Sequence, residues 1–143
     1  MKPDQVDALK KSFANIEAVG QQAGHFFYHS LFEKNPAFKH MFTHDMDQQV
    51  EKFLSTLKLI VYSFEVSKNG EYHITADLRV PLENLGKKHQ QLGVISEMFK
   101  PVAEALMASL EKFLGNAFTS EVRKAWADAY WEIAEAMTSK AHQ

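Results

Sequence analysis

An all-α fold is what this sequence predicts, and three observations carry it. Apolar residues recur at steps of three and four along most of the chain, the spacing of one helical face. Glycine and proline number only 6 and 4 in 143 residues, too few turns for a sandwich of many short strands. No segment reads clearly as a strand.

The elements follow in order. Val6, Leu9, Phe13 and Ile16 set the first helix. Pro3 suits a first helical position, and Asp4 and Asp7 favour a helix N-terminus. Gly20 breaks it. The second helix runs from about Gln21 to Lys34, with Ala23, Phe27 and Leu31 in line. Asn35-Pro36 ends it, because the residue before proline avoids the helical region. Pro36 then opens a short helix ending near Phe42. Thr43 to Asp47 is a polar connection. From Asp47 the stripe Gln49, Phe53, Leu57, Ile60, Phe64 predicts a long helix whose buried face begins with a polar residue. Ser67-Lys68-Asn69-Gly70 breaks that helix.

Glu71 to Val80 is the least regular part of the chain. Pro81 is expected to open the next helix, on which Leu85, His89 and Leu92 share a face, with Gly93 as its C-terminal cap. A long helix follows from about Ser96 to Leu114, with Pro101 in its first turns and Gly115 at its end. Thr119 suits the N-cap of the last helix, whose stripe is Val122, Trp126, Tyr130, Ile133 and Met137. Six substantial helices and a short one, in a single domain over 1–143, are too many and too unequal for a simple four-helix bundle.

Composition removes whole classes of function. With 18 acidic and 16 basic residues the chain has no basic footprint for nucleic acid and no charge suited to an anionic membrane surface. No apolar run is long enough to span a bilayer, and Met-Lys-Pro-Asp-Gln lacks the apolar stretch of a signal peptide. Cysteine is absent, which excludes disulfides, thiolate metal sites, cysteine nucleophiles and thioether-linked haem. A cytoplasmic location is the expectation. There is no phosphate-binding glycine loop, no G-x-S-x-G elbow and no H-E-x-x-H helix.

What remains informative is polar residues on apolar stripes. His89 lies between Leu85 and Leu92, so its ring should point inward. It is either a core histidine with one satisfied hydrogen bond or a single axial ligand to a haem iron. Gln49 heads its stripe and is either a solvated first-turn residue or an inward polar group. Tyr28 adjoins the Phe27/Leu31 face and is either a core tyrosine or a site donor. His25/His29 and His40/His44 are two i, i+4 pairs, but a zinc site needs a third ligand and none stands at suitable spacing. His73 and His142 read as surface residues.

Taken together these segments resemble a globin. Phe27-Tyr28-His29-Ser30-Leu31-Phe32-Glu33-Lys34-Asn35-Pro36, followed by Phe42, resembles the second and third helices of bacterial haemoglobins and neuroglobin. Leu85-Gly86-Lys87-Lys88-His89-Gln90-Gln91-Leu92-Gly93-Val94 resembles their proximal-histidine segment. Leu114-Gly115-Asn116-Ala117-Phe118-Thr119, with Ala125-Trp126 and Tyr130, resembles the start of their last helix. The three segments occur in the family's order and span nearly the whole chain.

The resemblance implies a globin fold of six to eight helices around a pocket for non-covalent haem b and its iron. It implies His89 as the iron ligand, with the Leu85 carbonyl as acceptor for the other ring nitrogen. Phe42 matches the family phenylalanine that packs on the porphyrin, and Phe53 the apolar position facing the ligand. Lys52 matches a position able to pair with a haem propionate. Val94, Phe99 and Val102 match the proximal wall. Tyr28 and Gln49 match the distal residues of some bacterial single-domain globins, as two donors to a diatomic ligand of partial negative charge. Each such bond is worth about 1 kcal/mol net, which slows O₂ release.

Three departures qualify the match. Gln49 replaces histidine, so a bis-histidine iron is not expected from this position. The segment from Phe64 to Pro81 is longer than usual. Flavohaemoglobins continue into a flavin- and nicotinamide-binding reductase, whereas this sequence ends at Gln143, so a separate reductase is expected. The implied function is tight O₂ binding, with CO and NO as further ligands, and oxidation of nitric oxide to nitrate. The alternatives are a gas- or redox-responsive signalling module and a haem-free interaction domain. A ferrous form that is mainly five-coordinate is expected, with His40, His44 and Met46 at the surface or packed nearby; the alternative is that one of them, or Tyr28 as a phenolate in the ferric form, reaches the iron. Related globins include monomers and homodimers.

Overall fold

The computed structural model describes residues 1–42, 45–91 and 96–138. Six α-helices carry the architecture: α1 (Pro3–Val19), α2 (Gln21–Lys34), α3 (Met46–Val61), α4 (Ala76–Gln91), α5 (Phe99–Leu114) and α6 (Ser120–Thr138). A short 3₁₀ helix, Pro36–Met41, follows α2, and 3₁₀ turns at Ser96–Met98 and Gly115–Ala117 flank α5. The expected all-α architecture is present, with one short hairpin added to it. Thr119 does cap α6, its hydroxyl accepting from the Val122 amide at 3.2 Å.

α1 lies against α6, α2 crosses both α3 and α5, and α4 lies against α6. The predicted stripes face these contacts. Val6, Leu9, Phe13 and Ile16 are all buried, as are Ala23, Phe27 and Leu31. Full burial of a side chain such as Phe13 or Leu9 stabilises the fold by about 1.5–3 kcal/mol. Two buried serines satisfy polar groups between helices. Ser12 Oγ accepts from Trp126 Nε1 at 2.8 Å and donates to the Ala8 carbonyl, joining α1 to α6. Ser109 Oγ donates to the Ala23 carbonyl at 3.0 Å, joining α5 to α2.

Two glycines let helices approach closely. At Gly24 an added Cβ would lie 2.3 Å from Val50 Cγ1, so α3 sits in a notch of α2. At Gly86 it would lie 1.9 Å from the Met137 carbonyl oxygen, so α4 rests on the backbone of α6.

The segment between α3 and α4 departs from expectation in three ways. First, α3 stops at Val61, and Phe64 begins a strand instead of ending the helix. Second, β1 (Phe64–Val66) and β2 (Tyr72–Ile74) form an antiparallel hairpin with Phe64 opposite Ile74. Strands of three residues are too short to show an alternation in sequence. Third, Pro81 lies inside α4 instead of opening it. The helix starts earlier because Leu78, Leu82 and Leu85 already form a stripe, with Leu82 buried beside Ile133 and Met137. The missing amide of Pro81 falls on an exposed side of the helix. The hairpin is tied at both ends. The Met1 ammonium donates to the Tyr72 carbonyl at 2.8 Å, and Glu132 Oε2 on α6 accepts from the Ile74 amide at 3.2 Å. Leu92 and the Gly93 cap lie outside the described residues.

The α4–α6 contact has no room for a methyl group. Gly86→Ala is expected to destabilise the protein by about 2–3 kcal/mol in urea unfolding, since backbone must move. Exposed Lys87→Ala, one residue along, should change stability by less than about 0.5 kcal/mol.

Candidate functional site

The helices enclose a cavity of about 950 Å³, near the upper end of the roughly 300–1,000 Å³ typical of small-molecule sites. Its walls are mainly aromatic and aliphatic, from α2 through α6. Tyr28, Phe42, Gln49, Lys52, Phe53, Leu85, His89, Phe99 and Val102 all line it. These are the residues singled out from sequence, apart from Val94, which lies outside the described residues.

His89 sits near the C-terminus of α4. Its Nδ1 lies 2.7 Å from the Leu85 carbonyl, one turn back. A carbonyl only accepts, so Nδ1 carries the proton and Nε2 is the basic nitrogen. The helix thus fixes both the tautomer and the ring direction with its own backbone.

Tyr28 and Gln49 come from different helices and meet in the cavity. Gln49 Nε2 donates to Tyr28 Oη at 3.1 Å. The phenol oxygen accepts here, so its own proton remains to be donated. Burial pushes the Tyr28 pKa above its ordinary value of 10.0, and the Gln49 bond offsets this only in part. Tyr28 therefore stays a neutral donor at physiological pH. Rings fix it in place. Phe42 meets it edge-on at 5.3 Å and Phe53 at 5.8 Å, while Phe53 stacks on Phe27 at 4.4 Å. Lys52 is exposed and lines the cavity beside Gln48, Glu51 and Ser55, where the lining turns polar.

Tyr130 is a lining residue that sequence reasoning left as a core position. Its hydroxyl donates to the Phe99 carbonyl at 2.6 Å, and burial raises its pKa strongly. Its place on the Trp126/Tyr130/Ile133 stripe was the available signal. His25, His29 and His40 do not come together as a metal site. His25 contacts Asp47 and His29 contacts Glu33, and His40 is exposed. His44 and His142 lie outside the described residues, and exposed His73 contacts Glu132. Among the described residues no cluster of three or more metal-ligating side chains occurs.

Haem fits this cavity on its chemistry. A large apolar disc needs such walls, and a single oriented imidazole offering Nε2 is the donor an axial iron position takes.

Comparison with known proteins agrees. Residues 25–137 match the globin family model. A flavohemoprotein of Rhizobium meliloti is 31% identical over 129 residues, covering 90% of this chain and 31% of its own length. A Vibrio cholerae flavohemoprotein is 28% identical over 134 residues, covering 92% of this chain and 32% of its own. The chain thus spans about a third of the length of these flavohemoproteins. A neuroglobin of Danio rerio is 33% identical over 117 residues, covering 76% of this chain and 72% of its own. With the family match running from the second turn of α2 nearly to the end of α6, and the helices packed as described, the chain belongs to the globin family.

Proposed function

We propose that this globin binds O₂ tightly and, with an electron from a separate reductase, oxidises nitric oxide to nitrate. Haem-based binding of diatomic gases is common to the family; tight O₂ binding and nitric oxide turnover are the finer reading. The observation that carries it is the Tyr28–Gln49 pair, two polar groups joined in an otherwise largely apolar lining. When bound, haem supplies an iron with a position open to a diatomic gas.

The chain's residues divide the work. His89 would hold the iron through Nε2, with the Leu85 carbonyl keeping the ring oriented and basic. Phe42, Phe53, Phe99 and Val102 would wall the macrocycle and exclude water, and Lys52 would reach a propionate. Tyr28 would donate a hydrogen bond from its phenol to the gas ligand, and Gln49, which donates to that phenol, would polarise it or donate directly. Each donor contributes about 1 kcal/mol net, more toward a partly charged acceptor, so two of them slow O₂ release by tens-fold or more. CO carries less negative charge and gains less.

The turnover balances as NO + O₂ + e⁻ → NO₃⁻. The electron source is proposed as a reductase because the similar flavohemoproteins are by name flavin- and haem-bearing proteins, of which this chain matches about a third. No helix among the described residues is long and apolar enough to cross a membrane.

Four outcomes are expected. His89→Ala loses most haem in gel filtration or shows an altered ferrous spectrum; unchanged retention and spectrum would remove the assignment. Tyr28→Phe speeds O₂ dissociation about tenfold while changing CO release less, in stopped-flow measurement. Because the Tyr28 pKa lies above 10.0, its proton is retained from pH 7 to 9, so the wild-type O₂ rate should stay flat over that range. With a generic flavin reductase and NADH, the protein should consume nitric oxide under air with nitrate as product. Tight O₂ binding without such consumption would leave binding as the function and reject turnover.

A further inference from the structure

Two polar bridges cross from α2 to α3, and the reading above uses only the inner one, Gln49 to Tyr28 at 3.1 Å. The outer one joins His25 Nε2 to Asp47 Oδ1 at 2.7 Å. His25 precedes Tyr28 by three residues, so the two project from neighbouring positions on one side of α2. Asp47 precedes Gln49 by two, in the first turn of α3. Next to both lies the notch where Val50 meets Gly24.

We propose that His25 is a positioning residue for Gln49: its bond to Asp47 holds the first turn of α3 against α2 and keeps the Gln49 amide directed at Tyr28 and the gas ligand. The proposal rests on the reading of Gln49 as a ligand-directed donor.

A helix's first turn lacks intrahelical partners for its amides and frays most readily. In α3 it is closed by Asp45, whose side chain accepts from the Asp47 amide at 2.9 Å and whose carbonyl accepts from the Gln49 amide at 3.1 Å. Both bonds are local and move with the turn. Val50 in the Gly24 notch sets where the helices cross. The His25–Asp47 bond ties the exposed side of this turn to another element. Asp47 accepts from neutral imidazole or imidazolium alike, so the strut needs no particular charge state. His29, one turn further along α2, is matched instead with Glu33 on its own helix at 3.3 Å. The His25 and Asp47 side chains are 44% and 73% exposed, so solvent weakens the bond and a modest effect is expected.

The test is O₂ dissociation in wild type, His25→Ala, Gln49→Leu and the double variant, with the C–O stretching frequency of the CO form as a second readout. His25→Ala is expected to speed O₂ release by about two- to fivefold and to shift the C–O stretch toward its value in Gln49→Leu. In the Gln49→Leu background it should add nothing. His25→Gln, which keeps an amide donor, should restore both readouts. His25→Ala matching wild type while Gln49→Leu speeds release would overturn the strut and leave the reading of Gln49 intact. An equal fold-change in both backgrounds would also overturn it, marking a general loosening. Gln49→Leu without effect on either readout would remove the reading of Gln49, and the strut with it.

Discussion

The site depends on how closely α2 and α3 can approach. Gly24 has no side chain, and Val50 occupies the space a Cβ would need. That contact brings Gln49, next to Val50, within hydrogen-bonding reach of Tyr28, one turn along α2 from Gly24. It also sets the Phe27–Phe53 stack, since both rings lie on the same two helices. Move the helices apart by the width of a methyl group and the donors separate while the aromatic wall opens. A similar contact, Gly86 on the Met137 backbone, fixes the helix that carries His89. Two glycines thus govern the placement of the donors on one side and the imidazole on the other.

The electrostatics follow from that packing. Both donors are uncharged, and burial raises the Tyr28 pKa so that they remain so. A neutral pair responds to partial charge on a ligand without attracting ions. His89 is likewise oriented by a backbone carbonyl rather than a carboxylate. The tyrosine pair, Tyr28 and Tyr130, shares this pattern of burial with a single well-formed hydrogen bond.

Much of this was legible in the chain, and the reasons are specific. His89 could be oriented because Leu85 and Leu92 share its helical face, and the Leu85 carbonyl one turn back is forced by helix geometry. Phe42, Phe53, Phe99 and Val102 were found through the family resemblance, and all border one cavity. The hairpin was not legible, because three-residue strands leave no periodic trace and depend on distant anchors, Met1 and Glu132. Pro81 misled for a related reason. Its usual preference for a first helical position yielded to the Leu78–Leu82–Leu85 stripe, whose burial outweighs one lost backbone bond. The His25–Asp47 contact was hidden by the His25/His29 spacing, which suggests a pair on one helix. Only the α2–α3 crossing shows that His25 has its partner on another helix.

Trp126 links the cavity to the far side of the molecule. Its ring lines the cavity, and its indole nitrogen donates to Ser12 on α1. Trp131, five residues on, is 48% exposed. The chain therefore carries two tryptophan fluorophores in contrasting surroundings, one enclosed and one open to water. Emission from the enclosed indole reports both on what fills the cavity and on whether α1 is docked.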